Sequence, residues 1–216
     1  MTTPAKNNEA RRLKVLWQYE ILDTVPEEVF DDLTELAARI CEAPIALISL
    51  IDEDRQWFKS KVGVSVTETS RDISFCAHAI KQTELFIIPD ATQDQRFANN
   101  PLVISDPKIR FYAGAPLITP DGHALGTLCV IDKVPRELRL EQQQALRVLA
   151  RHVMMQLELR RHSRELKEAH QAKDATKDEL EKVLAENGKL KRELEKLKKG
   201  KPAGMAAKKP KASKRK

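Results

Sequence analysis

The stretch from Ile109 to Asp132 holds two apolar runs with a short polar segment between them. The polar segment is Thr119-Pro120-Asp121-Gly122-His123, in which proline presets a turn and glycine supplies a positive φ angle. Both flanking runs are rich in residues that favour strands, so the pattern predicts a β-hairpin. Neither arm has a plainly polar face, which predicts that both sides of the hairpin are covered by protein or by a ligand.

Three further segments have the length and composition of strands. Ile45 to Asp52 is almost continuously apolar, which predicts a strand in the middle of a sheet. Gln56 to Val62 predicts a second strand, in which Lys59 and Lys61 share one side, so we expect that face to be solvated. Leu85 to Asp90 predicts a short strand that a proline ends.

Apolar residues at helical spacing mark two segments near the start of the chain. Asn8 to Tyr19 predicts a short helix, and Pro26 to Cys41 predicts a longer one. Thr24 and Glu27 have the spacing of a capping box, in which each side chain accepts a hydrogen bond from a free backbone N–H group at the start of the helix. The face of the longer helix that we expect to cover the sheet consists of Val29, Phe30, Leu33, Leu36, Ala37 and Ile40.

Polar and turn-forming residues dominate the segments between the predicted strands. Gly63 to Asp72 lacks periodicity and predicts a surface loop. Ser74 to Ile80 predicts one or two helical turns. Ala91 to Asp106 is rich in asparagine, aspartate and proline, and predicts a loop with one short helix around Gln95 to Asn99.

A long helix is predicted after the hairpin, because no proline interrupts the chain between Pro135 and Pro202. About 60 helical residues would extend for roughly 90 Å, which is more than one domain can bury. A heptad repeat fits from Leu159 onward and is best at its end, so we expect pairing with another helix. The predicted dimerisation residues are Leu180, Val183, Asn187, Leu190, Leu194 and Leu197.

Charges beside this heptad seam predict the direction of pairing. Glu186 would face Lys191 of a second copy, and Glu193 would face Lys198, only if the two helices run parallel. Asn187 at a core position favours one register and two strands. We therefore predict a parallel homodimer; the alternative is a single solvated helix stabilised by neighbouring opposite charges.

Four segments resemble the GAF domain family of bacterial sensory modules. They are SFCAHAI, DQRFANNPLV, RFYAGAPL and LGTLCVID, they occur in the family's order, and the resemblance extends from about Arg12 to Arg160. It implies an α+β fold, a GAF-like antiparallel sheet with helices on both faces, in which two segments enclose a ligand cavity against the sheet. The expected function is sensing of a small molecule or of a partner protein.

A mostly apolar cavity with few polar groups is typical of small-ligand sites. The small residues Ala113, Gly114, Ala115 and Gly126 would leave room for a ligand, or for closely packed backbone instead. The candidate ligand-binding residues are Phe58, Phe75, Cys76, Ile88, Asp90, Phe97, Phe111, Tyr112, Ala113, Thr127 and Cys129, with Arg110 as a further polar contact.

Cofactor and enzyme functions are disfavoured by the residues present. Some GAF photoreceptors attach a bilin to a cysteine followed directly by histidine, whereas Ala77 separates Cys76 from His78 here. The chain also has only two Trp, two Tyr and six Phe, which offer little to enclose a tetrapyrrole. Haem bound by His78 or His123 has no stronger support. No catalytic or metal-binding motif is found, so no cofactor is assigned. One branch of the GAF fold reduces free methionine sulfoxide with cysteines, which leaves a thiol-dependent enzyme of Cys76 and Cys129 as an alternative.

The basic charge of the chain lies at its end. The net charge is +6, yet nine Lys or Arg and no acid fall between Lys198 and Lys216, so the remainder is acidic. We expect residues 200–216 to be a disordered tail that binds nucleic acid or another polyanion, or that only keeps the protein in solution. Three cysteines are too few for a disulfide scaffold, and no apolar run could span a membrane, which favours a cytoplasmic protein.

These observations predict four regions: a flexible N-terminus (1–11), a GAF-like domain (12–160), a coiled-coil helix (161–199) and a disordered tail (200–216). The leading hypothesis is a dimeric signalling protein without an attached output enzyme. The alternative is a dimeric interaction protein that does not sense a ligand and whose tail binds nucleic acid.

Overall fold

A six-stranded antiparallel sheet forms the centre of the computed structural model, which describes residues 4–199, with side chains from residue 8 onward. The strands are β1 (Ile45–Ile51), β2 (Arg55–Val62), β3 (Glu68–Ser70), β4 (Phe86–Ile88), β5 (Phe111–Ile118) and β6 (Ala124–Asp132). Their order in the sheet is β3-β2-β1-β6-β5-β4. The continuously apolar β1 is central, as predicted, and every one of its residues is buried.

Five helices accompany the sheet in this part of the chain. They are α1 (Pro4–Gln18), α2 (Glu28–Cys41), α3 (Cys76–Ala79), α4 (Pro101–Ile104) and α5 (Leu140–Lys199), and a single 3-10 turn covers Arg71–Ile73. The predicted α+β class is confirmed. The described residues fall into two compact units, one within the first 164 residues and one from Glu165 onward. The predicted disordered tail lies outside the described residues.

The predicted hairpin is confirmed. β5 pairs with β6 in antiparallel register from Phe111 opposite Asp132 to Ile118 opposite Ala124. Gly122 has a φ angle of 83°, and its N–H group donates to the Thr119 carbonyl oxygen at 2.9 Å. Every residue of β6 is buried, so both faces of the hairpin are covered by protein.

The sheet separates two hydrophobic cores. On the side that we call the helix side, apolar residues of α1, α2 and α5 pack against the strands, among them Leu16, Phe30, Leu146, Val153 and Leu157. On the opposite side, short segments that we call the lid (residues 71–80 and 91–106) cover the strands. The lid side contains five aromatic residues: Phe58, Phe75, Phe86, Phe97 and Tyr112.

The capping box and the solvated face of β2 are wrong predictions with one common cause. α2 begins at Glu28 without a side-chain cap. Lys59 is buried, and its ammonium group donates to Thr24 Oγ1 (2.9 Å), the Val25 carbonyl oxygen (2.7 Å) and Glu27 Oε1 (2.7 Å). The Thr24 and Glu27 side chains therefore replace water around a buried lysine instead of capping the helix.

Several boundaries and faces also differ from the predictions. Residues 4–11, predicted to be flexible, are helical. The long helix is predicted to follow Pro135 directly, whereas α5 begins at Leu140 and residues 135–139 precede it. The predicted loop from Gly63 contains β3 and the 3-10 turn. On α2, Val29 (37% exposed) and Leu36 (44%) lie outside the core, and Thr34 and Cys41 are buried instead.

The short helix predicted near Gln95 lies instead at Pro101–Ile104. Its N-cap is Asn100, whose side-chain oxygen accepts a hydrogen bond from the Leu102 N–H group at 2.9 Å. A capping asparagine followed by proline at the first helical position is a strong start signal, which outweighs the weak helical pattern of the preceding residues.

Candidate functional site

The lid holds a stack of aromatic rings against the sheet. Phe75 from the first lid segment and Phe97 from the second stack with their ring centroids 4.0 Å apart, and Phe75 also stacks on Tyr112 of β5 at 5.3 Å. Phe86 of β4 meets both Phe97 (6.2 Å) and Tyr112 (5.9 Å) edge to face. The side chains predicted to surround a ligand therefore contact one another in this structure.

Most of the predicted ligand-binding residues lie together on the lid side. Seven belong to one buried cluster: Phe58, Phe75, Cys76, Ile88, Phe97, Tyr112 and Cys129. Thr127 joins them, because its hydroxyl lies 3.5 Å from Tyr112 Oη. Asp90 lies two residues beyond β4, and its carboxylate accepts hydrogen bonds from the Thr92 N–H and hydroxyl groups.

Phe111 and Ala113 are on the other face of the sheet. Both pack in the helix-side core, because successive residues of a strand point to opposite faces and Tyr112 between them points to the lid. The prediction that these two residues line the same cavity as Tyr112 is wrong. Arg110 does not point into the cluster either: its guanidinium group donates to the carbonyl oxygens of Val103 and Ile109.

The two cysteines of the lid-side cluster meet at its centre. Cys76 comes from the lid helix α3 and Cys129 from β6, and their sulfur atoms are 3.8 Å apart. Tyr112 Oη donates to Cys76 Sγ at 3.2 Å. Ser49 of β1 and Thr127 of β6 are directly opposite in the sheet, with their hydroxyl oxygens 3.2 Å apart. We call these five residues the thiol–hydroxyl cluster.

This cluster favours loss of one proton. Burial raises the pKa of the Cys76 thiol, but hydrogen bonds from Cys129, Ser49, Thr127 and Tyr112 outweigh the burial and lower its pKa to about 6. The hydrogen bond to Cys76 and burial raise the pKa of Cys129 well above its ordinary value. The pair thus gives up its first proton easily and its second with difficulty, because two adjacent thiolates repel each other.

Gly114 explains how Tyr112 reaches the cysteines. A Cβ atom at Gly114 would overlap the Tyr112 phenol group, which lies along the strand above this glycine. Sequence reasoning identifies the small residues of β5 but not that Gly114 makes room for the Tyr112 ring. It also misses Ser49. The single hydroxyl in the apolar strand β1 could have indicated Ser49, since a buried hydroxyl needs a hydrogen-bond partner.

Two cavities open elsewhere on the sheet domain. One of about 530 Å³ lies beside α3 and the hairpin turn, and its walls include Glu9, Arg12, Arg71, Ala77, Ile80, Lys81 and His123. The other, of about 750 Å³, lies between β5 and the first turns of α5, and its walls include Leu85, Pro116, Arg147, Met154 and Met155. Neither is lined by the ligand-binding residues predicted from the sequence.

The predicted dimerisation residues lie on the second unit. Leu180, Val183, Asn187, Leu190, Leu194 and Leu197 are all exposed along α5. In the described part of the chain, no helix is long and apolar enough to cross a membrane. Within residues 4–199, no group of three or more His, Cys, Asp or Glu side chains is placed to hold a metal ion.

An antiparallel sheet with helices on one face and a short-segment lid on the other defines a class of small sensory domains. The chain belongs to the GAF domain family, whose model matches residues 25–157. GAF domains are small-molecule-binding sensory domains.

One relative is a cyclic di-GMP phosphodiesterase of Pseudomonas aeruginosa, which is 43% identical to this chain over 157 residues. The match covers 72% of this chain and 27% of that protein, so the chain spans about a quarter of the length of its relative.

Solved GAF domains share the fold at low identity. The domain of a phosphoenolpyruvate-protein phosphotransferase from Coxiella burnetii is 16% identical, with a TM-score of 0.52 over 74% of this chain and 98% of that one. The GAF domain of the corresponding Acinetobacter protein is also 16% identical, with a TM-score of 0.50 over 78% of this chain and 99% of that one. These similarities show the fold alone.

Proposed function

We propose that this protein senses a small molecule with its GAF domain and transmits the bound state through a parallel coiled-coil dimer. The observation that carries the proposal is the position of β6. On one face of this strand, Cys129 and Thr127 lie under the lid; on the other, Leu128 and Val130 pack in the same core as Leu146 and Val153 of α5. A shift of the lid that moves β6 would therefore change the packing of α5 directly.

A second set of contacts ties α5 to the connection between α1 and α2. Arg160 donates to Glu27 Oε1 at 3.1 Å, and Arg164 donates to the Tyr19 carbonyl oxygen at 3.0 Å. The Tyr19 hydroxyl donates to Glu158. Glu27 also pairs with the buried Lys59 of β2. A displacement of β2 would therefore act on α5 by changing whether Glu27 pairs with Lys59, with Arg160 or with both.

The cavity of about 530 Å³ is where we expect the ligand. Its volume lies within the range typical of small-molecule sites. Ala77 and Ile80 of the lid segment form part of its wall, so an occupant would contact the same segment that carries Cys76. Arg12, Arg71 and Lys81 outnumber the one acid in the wall, Glu9, which favours an anionic ligand.

The exposed apolar residues of α5 support dimerisation. Leu180, Leu190, Leu194 and Leu197 are each more than half exposed, and a helix with such a stripe gains stability by burying it against a second copy. The relative named as a cyclic di-GMP phosphodiesterase aligns over a fraction of its length. We propose that the aligned region has a regulatory role in both proteins, and that the ligand of this chain is a nucleotide or another small anion.

Ligand binding is tested by native mass spectrometry of the purified chain, alone and after incubation with a panel of anionic metabolites that includes cyclic dinucleotides. We expect the parent to show the mass of a bound ligand. Lys81→Ala should lower the affinity for that ligand by about tenfold, since one charge-assisted contact contributes about 1.5–3 kcal/mol. Lys133→Ala removes an exposed lysine that is not among the residues lining this cavity, and should change nothing. Equal binding by parent and Lys81→Ala would exclude this cavity.

Dimerisation is tested by sedimentation equilibrium. Leu190→Glu places a charge in the predicted seam and should give monomers at concentrations where the parent is dimeric. Ala185→Glu adds the same charge at the outermost heptad position and should leave the dimer intact. A parent that sediments as a monomer at all concentrations would refute the coiled-coil part of the proposal.

A further inference from the structure

We propose that Cys76 and Cys129 form a reversible disulfide that fastens the lid to the sheet when the protein meets a peroxide. This inference is independent of the ligand and of the dimer. It assigns a redox modification site to the thiol–hydroxyl cluster, with hydrogen peroxide or a small organic peroxide as the oxidant and a cellular dithiol as the reductant.

The geometry of the two thiols comes first. Their sulfur atoms are 3.8 Å apart, which is van der Waals contact, and a disulfide bond requires about 2.05 Å. Cys76 lies on the one-turn helix α3, so an approach of under 2 Å needs only a small movement of a short element. Cys129 lies in the fully paired strand β6 and is held in place.

The surroundings prepare Cys76 as the attacking group. Tyr112 Oη donates to Cys76 Sγ at 3.2 Å, and the Ser49 and Thr127 hydroxyls belong to the same cluster. A thiolate at Cys76 would therefore be stabilised by several hydrogen-bond donors. The thiolate is the form of cysteine that reacts with peroxides.

The third cysteine shows the contrast. Cys41 is buried on the helix side, where burial raises the pKa of its thiol to about 11. No hydrogen bond to its thiol is found among the described residues. Burial alone thus makes a cysteine unreactive, and the difference at Cys76 comes from its polar neighbours.

The reaction balances without any further component. The Cys76 thiolate attacks one peroxide oxygen, the O–O bond breaks, and the leaving hydroxide takes a proton, which gives Cys76 sulfenic acid and one water. Cys129 sulfur then attacks Cys76 sulfur, the S–O bond breaks, and the departing hydroxide takes the Cys129 proton to form a second water. Two thiols lose two electrons in total, and one peroxide gains them.

Access to the buried pair is through the lid. Ala77, which follows Cys76 on α3, and Ile80, the C-cap of that helix, form part of the wall of the 530 Å³ cavity. A peroxide in this cavity is separated from Cys76 by one turn of helix, and short elements of this kind open locally without global unfolding. Once the disulfide forms, that opening is blocked, because α3 is then covalently bonded to β6.

The experiment uses the full chain, reduced and then treated with a small excess of hydrogen peroxide at neutral pH. Intact mass spectrometry should show a loss of two hydrogen atoms, and digestion without reductant should yield a cross-linked peptide that contains Cys76 and Cys129. Treatment with a dithiol should restore the parent mass. In the native protein, we expect an alkylating reagent to modify Cys76 at least about tenfold faster than Cys41.

Three variants separate this proposal from general oxidation. Cys129→Ser should stop at the sulfenic acid on Cys76, which a dimedone reagent traps, and Cys76→Ser should not react with peroxide. Cys41→Ser should behave as the parent. The proposal is overturned if the peroxide-treated parent retains all three free thiols, or if the cross-link joins Cys41 to either partner; the peptide map of the parent gives this answer even if a variant fails to fold.

Discussion

The two faces of the sheet are covered by different means. On the helix side, three helices bury mainly aliphatic side chains, including Leu16, Leu146 and Leu157. On the lid side, two helices of four residues each and the turns beside them hold aromatic rings, two thiols and three hydroxyls.

The difference indicates that the two faces of the sheet have separate roles. Long helices packed on a sheet form a cooperative core, whereas short segments contribute few backbone hydrogen bonds of their own and open more readily. The two adjacent thiols and the hydroxyls beside them lie on the side that can open, and the helix side holds α5, the element that we propose transmits the state. The following predictions test whether the two faces can be changed separately.

The largest effect is expected where the two central strands meet. A Cβ atom at Gly126 would overlap the Ser49 carbonyl oxygen and the Leu50 backbone of β1. Gly126→Val should therefore disrupt the sheet itself, with a loss of more than about 4 kcal/mol in the free energy of unfolding, and should give mostly insoluble protein.

The control for this variant is Gly188→Ala, at a glycine of α5 where an added Cβ atom would meet no other atom within 4 Å. It should add about 1 kcal/mol of helix stability instead. Circular dichroism during thermal unfolding measures both. A soluble Gly126→Val protein with the melting temperature of the parent would show that β1 and β6 can separate without cost.

The second prediction compares one phenylalanine on each face. Phe30 and Phe97 are both almost completely buried. Phe30→Ala should cost about 4 kcal/mol in denaturant unfolding, and Phe97→Ala about half as much, because the short lid segments can relax into the space and long helices cannot.

Alkylation of Cys76 in the native protein distinguishes the two variants further. Phe97→Ala removes the ring that stacks on Phe75, so the lid should open and the reaction should accelerate. Phe30→Ala should leave the rate near that of the parent in the folded fraction. Equal acceleration in both variants would mean that the faces are not independent.

The sequence contains enough information for the sheet but not for the cluster within it. β1, β5 and β6 are predictable because continuous apolar runs and a turn with proline and glycine are local signals. Strand alternation also separates Phe111 and Ala113 from Tyr112, so the prediction of all three in one cavity conflicts with a signal that the sequence itself carries. The 3.8 Å separation of Cys76 and Cys129 is a long-range contact over 53 residues, and no local pattern specifies it.

The charged network around Lys59 shows the same limit. A lysine in a strand usually indicates solvent, and a threonine and a glutamate three residues apart usually indicate a helix start. Here the lysine and the threonine–glutamate pair bind each other, although more than 30 residues separate them in the sequence. Only the fold shows that Thr24 and Glu27 surround the ammonium group of Lys59.

The third prediction concerns this lysine on the helix side. Lys59→Met keeps most of the unbranched apolar stem but removes the ammonium group over the Phe30 ring and its three hydrogen bonds. We expect a loss of about 2 kcal/mol, because Val25 and Glu27 lose a buried donor but Glu27 keeps Arg160. Denaturant titration measures it.

Lys61→Met is the matched control on the same strand. Its ammonium group donates to the carbonyl oxygens of Ser65 and Val66 at a half-exposed position, where water can replace it. The change should stay within about 0.5 kcal/mol. If the two variants lose equal stability, the burial of Lys59 has no energetic importance.

The smallest effect is expected at Glu9, which links the two faces. Its carboxylate accepts hydrogen bonds from Arg12 on α1 (2.8 Å) and from Arg71 in the lid (2.7 Å). Burial raises the pKa of Glu9, but the hydrogen bonds from the two arginines outweigh it and lower the pKa from 4.5 to about 2. A lowered pKa means that the charged form stabilises the folded state, so this contribution is complete above pH 4.5 and is lost as the pH falls toward 2.

Glu9→Gln removes this dependence. Glu9 is about one third exposed, so solvent screening reduces the contribution, and we expect a loss of about 1 kcal/mol at pH 7. Other carboxylates also have lowered pKa values, and the informative quantity is therefore the difference between parent and variant, measured by denaturant unfolding from pH 7 to pH 3. That difference should shrink as the pH falls below about 4.5, because the unfolded parent then binds a proton at Glu9 that the folded parent does not bind until the pH approaches 2. A difference that grows toward low pH would mean that Glu9 is charged at a cost in the folded protein and that α1 is not fastened to the lid by this carboxylate.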